Sequence, residues 1–305
     1  MSIAIQNLTK YYGEQKAVNN ISFDVKSGEI VGFIGPNGAG KSTTMKIITG
    51  YISQFEGTVQ VDGLDVRSQA LEVKKNIGYL PEHNPLYVEM YVREYLEFMA
   101  RSYGLVKPFK PAIDAVIEQT GLQAEQHKKI GALSKGYRQR VGLAAVLIHN
   151  PKVLILDEPT TGLDPNQILE IRNLIAEVGR EKTILLSTHI MQEVEAICNR
   201  VIIINKGHIV ANDKAELIKQ QANEQHTTLL VEFLENTTRE VLQAIDEVEN
   251  AMCVSENQWL IKPQNNADIR KNVFDFAVKN SLTVISMQLQ EKTLEEAFQQ
   301  LTMNK

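Results

Sequence analysis

Gly35-Pro36-Asn37-Gly38-Ala39-Gly40-Lys41-Ser42-Thr43 sits between a short apolar run, Ile30–Ile34, and a helix-like run from Lys41 to Gly50. That strand–loop–helix context gives the complete GxxxxGK[ST] pattern a physical meaning. Glycines let backbone approach an anion closely, because residues without a Cβ tolerate the dihedrals and contact distances required. Successive N–H groups then point inward, and the following helix presents roughly half a positive charge at its start. Lys41 adds an ammonium for β- and γ-phosphates, and the Ser42 hydroxyl is placed to ligate Mg²⁺. The pattern predicts a nucleoside-triphosphate cradle rather than a glycine-rich turn capping a helix.

Composition narrows what surrounds the cradle. The 305 residues suggest about two domains, and 43% hydrophobic content supports a sizeable core. Lys+Arg 32 against Asp+Glu 37 gives a net charge of -5, so no broad nucleic-acid-binding surface is expected. Cys198 and Cys253 lack metal-ligand spacing and are expected to be buried thiols in a reducing compartment. The N-terminus lacks the basic-then-apolar order of a signal peptide, and no apolar run approaches the ~18 residues that cross a bilayer. If membranes matter, another chain must do the crossing.

Along the chain, Ile3-Ala4-Ile5 and Ile21–Val25 alternate as half-buried antiparallel strands do. Between them, Lys10-Tyr11-Tyr12-Gly13 reads on its own as strand-end packing, although an exposed Tyr there offers a face to a nucleobase. Thr58–Val61 and Asp62-Gly63 suggest another hairpin strand. From about Pro81 to Ile148 the spacing is helical, with stripes at Val92, Tyr95, Leu96, Met99 and Ala100, and at Ile113, Val116, Ile117 and Thr120. That insertion ends in Leu133-Ser134-Lys135-Gly136-Tyr137-Arg138-Gln139-Arg140, where Ser134 fits an N-cap. Lys135 and Arg138 fall in the first turn, where the helix dipole disfavours cations by ~0.3–1 kcal/mol each. An anion at this helix start reverses the sign of that cost, which points to a second phosphate-facing surface.

Val153–Leu156 reads as a buried parallel strand ending in Asp157-Glu158. Ligands of open α/β sheets bind beyond the carboxyl ends of such strands. Period-two geometry should send the two acids apart, Asp157 toward Mg²⁺ and Glu158 toward an attacking water as general base. Asp164-Pro165 fits an N-cap with Pro at the first helical position. Thr183–Leu186 is a further apolar strand running into Ser187-Thr188-His189, and His189 is a candidate hydrogen-bond donor to the γ-phosphate. Val201–Ile204, Asn205-Lys206-Gly207 and Ile209–Ala211 read as a closing hairpin.

These pieces, in this order, make residues 1 to about 222 resemble the ATP-binding subunits of ABC transporters. The resemblance identifies Tyr12 as the adenine-stacking aromatic, Gly35–Thr43 as Walker A and Leu133–Arg140 as the signature. Leu154–Asp157 with Glu158 matches Walker B, Leu163-Asp164 the D-loop and His189 the switch histidine. LSKGYRQR, ILDEPTTGLDPNQ and STHIMQEVEAIC are similar to the bacterial gliding-motility-associated ABC ATPase and, more broadly, to ATPases of drug and polysaccharide exporters. The resemblance implies an antiparallel β subdomain, a RecA-like parallel core and an α-helical subdomain at about 83–150. It also implies ATP and Mg²⁺ as cofactors and a second such ATPase domain, expected to be an identical copy. Ser134, Gly136 and Asp164 would cover the nucleotide held by that partner's cradle. Integral membrane permease subunits would hold the chain on the cytoplasmic face of the membrane.

The chain departs from that pattern in two places. The usual LSGGQ is Leu133-Ser134-Lys135-Gly136-Tyr137, which adds a cation. Glu82 stands where the family normally has a glutamine; a carboxylate can join the Mg²⁺ shell through water but cannot donate as an amide does. Residues 223–305 lie outside the resemblance. Strands at Thr228–Phe233, Ala251–Ser255, Gln258–Ile261 and Thr283–Met287, with helices at Thr238–Val248 and Ala267–Val278, suggest a ferredoxin-like α+β accessory domain. A short helix, Leu294–Thr302, follows, and Phe233, Trp259, Phe274 and Phe276 are expected in the core. A soluble ABC ATPase acting on ribosomes or DNA fits less well, because the chain has one cassette and neither a coiled-coil nor a zinc insertion. A GTPase fits least, since His208 replaces the carboxylate of the guanine-reading NKxD.

Overall fold

The computed structural model describes residues 2–224, 228–264, 267–290 and 293–303, and the chain divides into two compact units, Met1–Lys214 and Ala215–Lys305. In the first unit the strands are β1 (Ile3–Tyr12), β2 (Gln15–Val25), β3 (Ile30–Ile34), β4 (Glu56–Val61), β5 (Leu64–Asp65), β6 (Ile77–Leu80), β7 (Val153–Asp157), β8 (Thr183–Ser187), β9 (Arg200–Asn205) and β10 (His208–Asp213). Its α-helices are α1 (Lys41–Ile48), α2 (Ala70–Asn76), α3 (Val92–Ser102), α4 (Lys110–Gln119), α5 (Lys135–Leu147), α6 (Pro165–Val178) and α7 (Met191–Ile197).

The central sheet runs β10-β9-β3-β8-β7-β6. Every pairing is parallel except the β9–β10 hairpin. β3, β7 and β8 are buried at every position, the pattern of strands covered on both faces. Alternation then sorts their side chains. Val31, Phe33, Val153, Ile155 and Leu185 join α1 and the antiparallel β2-β1-β4-β5 sheet in one core. Ile30, Leu154, Leu156, Ile184 and Leu186 join α3 to α6 in the other. The expected helical stripes are where that second core lies: Val92, Tyr95, Leu96, Ala100, Ile113, Val116 and Ile117 are all buried. Helix resumes only at Val92, because Pro81–Tyr91 is a non-helical connection out of β6.

The second unit holds α8 (Ala215–Glu224), β11 (Thr228–Phe233), α9 (Arg239–Gln243), β12 (Val248–Ser255), β13 (Gln258–Pro263), α10 (Arg270–Lys279), β14 (Val284–Gln290) and α11 (Leu294–Met303). The expected boundary at 222 falls inside α8, which packs against α11. Residues 225–227, 265–266, 291–292 and 304–305 of the expected accessory domain lie outside the described residues. Its sheet runs β12-β13-β11-β14 with all neighbours antiparallel, the order of a split βαβ unit.

Three expectations are corrected here. The helix drawn to Val248 ends at Gln243, because Glu247 takes φ 66 and Val248 begins pairing with Pro263. Burying Val248 and Ala251 in the sheet core outweighs local helix preference. Phe233 and Trp259 are buried and Phe276 packs against them, but Phe274 is 55% exposed because α10 turns Val273 and Ala277 inward instead. Cys198 packs beside the Gly32 backbone, and burial pushes its thiol up to about 12. Cys253, on the edge strand β12, is exposed.

Candidate active site

β3 delivers Gly35 at its carboxyl end, and the loop that follows leaves no room for a side chain at two places. A Cβ on Gly35 would lie 2.2 Å from the Ile204 carbonyl oxygen, and one on Gly40 would lie 2.6 Å from that of Ala17. Gly40 also adopts φ 111 as the N-cap of α1, a conformation that L side chains rarely take. No side chain caps α1, so its first N–H groups are directed toward any anion seated in the loop. Pro36, Ser42 and Thr43 are half-buried, whereas Asn37 and Gly38 are exposed at the loop's tip and Ala39 is buried.

Lys41 is buried, and its Nζ donates to the Gly35 and Pro36 carbonyls at 2.7 and 3.2 Å. Burial lowers the ammonium's pKa, while the charges of Glu158, Asp157 and Glu82 pull it back up. The three acids singled out in the sequence therefore converge electrostatically on the cradle's lysine.

Asp157 and Glu158 leave β7 in different directions, but strand alternation is not the reason. Asp157 is the last strand residue, 2% exposed, and accepts a 2.6 Å hydrogen bond from Ser187 Oγ. Glu158 lies beyond the strand at φ 50, a left-handed turn that swings its carboxylate toward β8's continuation. There Glu158 Oε2 accepts from His189 Nδ1 at 2.7 Å and from Thr161 Oγ1 at 3.3 Å. A carboxylate only accepts, so Nδ1 carries the proton of this pair, which leaves Nε2 of a neutral ring as an acceptor. His189 as a donor to phosphate while held this way requires the imidazolium. Thr188 steadies the turn, donating to Glu193 Oε2 at 2.8 Å and accepting the Ile190 N–H at 3.1 Å.

The expected cation ligands supply oxygen atoms: the Ser42 hydroxyl and the carboxylates of Asp157 and Glu82. Among the described residues no three His, Cys, Asp or Glu side chains form a metal cluster. Such a donor set suits a hard cation like Mg²⁺ that takes its remaining ligands from phosphate and water. Glu82 is exposed just past β6, whose neighbour in the sheet is β7. Tyr12 ends β1 and is 51% exposed, with the Lys10 ammonium 5.1 Å over its ring and donating to the Gln54 carbonyl.

The stretch expected to face a second phosphate is a separate place in the chain. Ser134 caps α5, accepting the Tyr137 N–H at a long 3.4 Å, and Asp164 caps α6 through the Gln167 N–H at 2.9 Å. Gly136 lets the two helix starts close together, since a Cβ there would meet Gln167 at 2.7 Å. They enclose a cleft of about 300 Å³ lined by Ser134, Gly136, Tyr137, Arg140, Asp164 and Gln167 among others; no residue of 35–43 lines it. Lys135, the cation added to the signature, lies against Gly162. Asn205-Lys206-Gly207-His208 is the tight turn of the β9–β10 hairpin, with φ 47 at Lys206 and 80 at Gly207. Ser187, Thr161 and Lys10 touch Asp157, Glu158 and Tyr12 without a sequence pattern that marks them for it; a hydroxyl closing the apolar run Thr183–Leu186 is the available signal for Ser187.

A family model described as ABC transporter matches residues 18–161. The chain is 33% identical over 305 residues to the bacitracin transport ATP-binding protein BcrA of Bacillus licheniformis, covering 98% of this chain and 96% of that one. It is 39% identical over 216 residues to the Nod factor export ATP-binding protein I of Burkholderia orbicola, covering 69% and 71%. A solved dimeric ATP-binding cassette in a post-hydrolysis state, bound to ADP and Pi, superposes with a TM-score of 0.63 at 26% identity, covering 70% of this chain and 98% of that one. Among the described residues no helix is long and apolar enough to cross a membrane. End-to-end likeness to such a subunit, joined to the cradle and its acids, makes this chain a member of the ABC transporter family: an ATP-binding, ATP-hydrolysing subunit.

Proposed function

We propose that two copies of the chain pair head to tail, so that ATP in the 35–43 cradle of one is covered by Ser134, Gly136 and Asp164 of the other. The observation that carries this reading is the separation of the two surfaces. The cleft at the starts of α5 and α6 has no lining from the cradle, and α5 opens with no acid in its first turn. Lys135 and Arg138 then meet their anion only across an interface.

Within each composite site Lys41 and the N–H groups of α1 bind the β- and γ-phosphates, and Tyr12 stacks on the base. Ser42 and Asp157, with Glu82 through water, would hold Mg²⁺, which supplies charge neutralisation to the phosphate oxygens. Glu158 orients water in line with the γ-phosphate and takes its proton, while His189 holds the carboxylate by Nδ1. Closure on ATP and release after hydrolysis would drive separate permease subunits, with this chain on the cytoplasmic face of the membrane. The residues 133–140, 155–167 and 187–198 support the finer reading of a gliding-motility exporter; a deletion that leaves gliding intact rules that out. A dimer contact or regulatory role for the unit Ala215–Lys305 belongs to the same proposal.

Mixing two inactive variants tests the pairing. Lys41→Ala and Ser134→Ala each should hydrolyse ATP at least tenfold more slowly than the parent. A mixed dimer carries one composite site with both groups intact, so mixing should restore a substantial share of activity. Mixtures no more active than either variant alone overturn the head-to-tail arrangement.

A further inference from the structure

We propose that Ser187 is a positioning residue for hydrolysis, holding the cation-side carboxylate and the water-side carboxylate in one fixed relation. This inference rests on the roles given above to Asp157 and Glu158. Ser187 ends β8, is fully buried, and pairs in register with Asp157 across the parallel β7–β8 ladder. Its Oγ donates to Asp157 Oδ1 at 2.6 Å, short enough for a charge-assisted hydrogen bond. A hydroxyl has a single proton, and that contact commits it.

The oxygen's lone pairs are then left for the Glu158 N–H, which lies 3.1 Å from Ser187 Oγ and 3.1 Å from the Ser187 carbonyl oxygen. One residue thus anchors a shared N–H at the very turn where Glu158 adopts φ 50, an uncommon conformation for a residue with a side chain. That turn is what carries the Glu158 carboxylate away from the strand and onto His189. Removing the hydroxyl strips Asp157 of its donor and loosens the angle of the Glu158 amide. The carbonyl still accepts the N–H, so the turn itself survives. A purely structural buried serine would predict lost stability, whereas this arrangement predicts lost turnover and weakened response to the cation.

The test compares Ser187→Ala, Ser187→Val and Ser187→Thr in the full chain. ATP turnover is measured against Mg²⁺ concentration, and metal-free affinity is measured with a fluorescent ATP analogue in EDTA. Ser187→Ala and Ser187→Val should lose about 10–100-fold in kcat, the cost of misplacing a reacting group by a fraction of an ångström to an ångström. Half-maximal Mg²⁺ should rise at least threefold, with KM and metal-free affinity held within about twofold. Ser187→Thr keeps the hydroxyl and should recover most of the turnover. If Ser187→Val shows parental kcat and Mg²⁺ dependence, or if threonine is as impaired as valine, the proposal fails. Asp157→Asn and Glu158→Gln separate this from failure of the underlying assignment. Should those two collapse while the hydroxyl-free variants do not, only the role of Ser187 is lost; should those two retain parental turnover, the roles of Asp157 and Glu158 are lost first.

Discussion

Gly35→Ala is the most informative single change in the cradle, because the obstruction is backbone rather than a flexible side chain. The new Cβ would sit 2.2 Å from the Ile204 carbonyl oxygen, 2.9 Å from Ile204 Cγ2 and 3.2 Å from Ala39 Cβ. Real Cβ contacts essentially never fall below 3.0 Å, so the loop and β9 must separate by about 0.8 Å. β3 and β9 are paired up to Ile34 and Ile203, one residue before the clash, so the wedge opens the end of a buried ladder. Overpacking of this kind costs about 1–3 kcal/mol. For a unit of this size that lowers Tm by about 2–12 °C, taking 2–4 °C per kcal/mol. Binding suffers separately, because the Gly35 carbonyl that receives Lys41 Nζ moves with the loop. A shift approaching an ångström should weaken metal-free ADP binding at least tenfold. Gly38→Ala is the control: nothing lies within 4 Å of its Cβ, and φ 78 alone costs about 1–2 kcal/mol. Thermal unfolding with isothermal titration of ADP reads both quantities. A Gly35→Ala protein that melts within a degree of the parent and binds ADP with parental affinity would refute the steric account of the cradle.

Two further outcomes follow from the same geometry. Glu158→Gln keeps an acceptor for His189 but loses the base, so ATP turnover should fall about 10²–10³-fold while an ATP-bound dimer accumulates on size exclusion; unaltered turnover sinks the assignment. Glu29 is pushed up by burial, but the hydrogen bonds from Arg200 and from the Lys26 N–H outweigh this and hold its carboxyl below the ordinary 4.5. Its stabilisation is therefore full above about pH 4.5 and is lost as pH falls through the lowered native value. Glu29→Gln should cost about 1 kcal/mol near neutrality, and the Tm gap to the parent should close on acidification; a gap that is constant down to pH 3 contradicts this.

Much of the fold was legible because burial imposes periodicity. The continuous apolar runs Ile30–Ile34, Val153–Leu156 and Thr183–Leu186 are covered on both faces, and the sequence can show that only one way. The stripes through Val92–Ala100 and Ile113–Ile117 mark core for the same reason. The misjudged places are those where local pattern loses to tertiary context. Asp246–Val248 carries a helical pattern, yet the sheet claims Val248. Phe274 is apolar, yet α10 buries Val273 and Ala277 and packs Phe276 against the same core, which leaves Phe274 facing outward. Pro81–Tyr91 joins β6 to the helices without regular structure, and no periodicity marks where it ends.

The site divides along the same line. Residue types at fixed spacing identify the cradle and the two acids, because glycine, lysine and carboxylate each have a chemistry that the pattern needs. What makes the acids distinct is a backbone angle, φ 50 at Glu158, and a side chain cannot be read for that when it is glutamate rather than glycine. The angle persists because its surroundings over-determine it: the Glu158 N–H meets two acceptors on Ser187, and the carboxylate meets two donors on His189 and Thr161. The turn at Glu158 is thus held by partners scattered across β8 and the loops after β7 and β8, of which the sequence marks His189 alone as a site residue. The left-handed turn is what carries the Glu158 carboxylate to His189, and the hydroxyl of Ser187 is what ties that turn to Asp157.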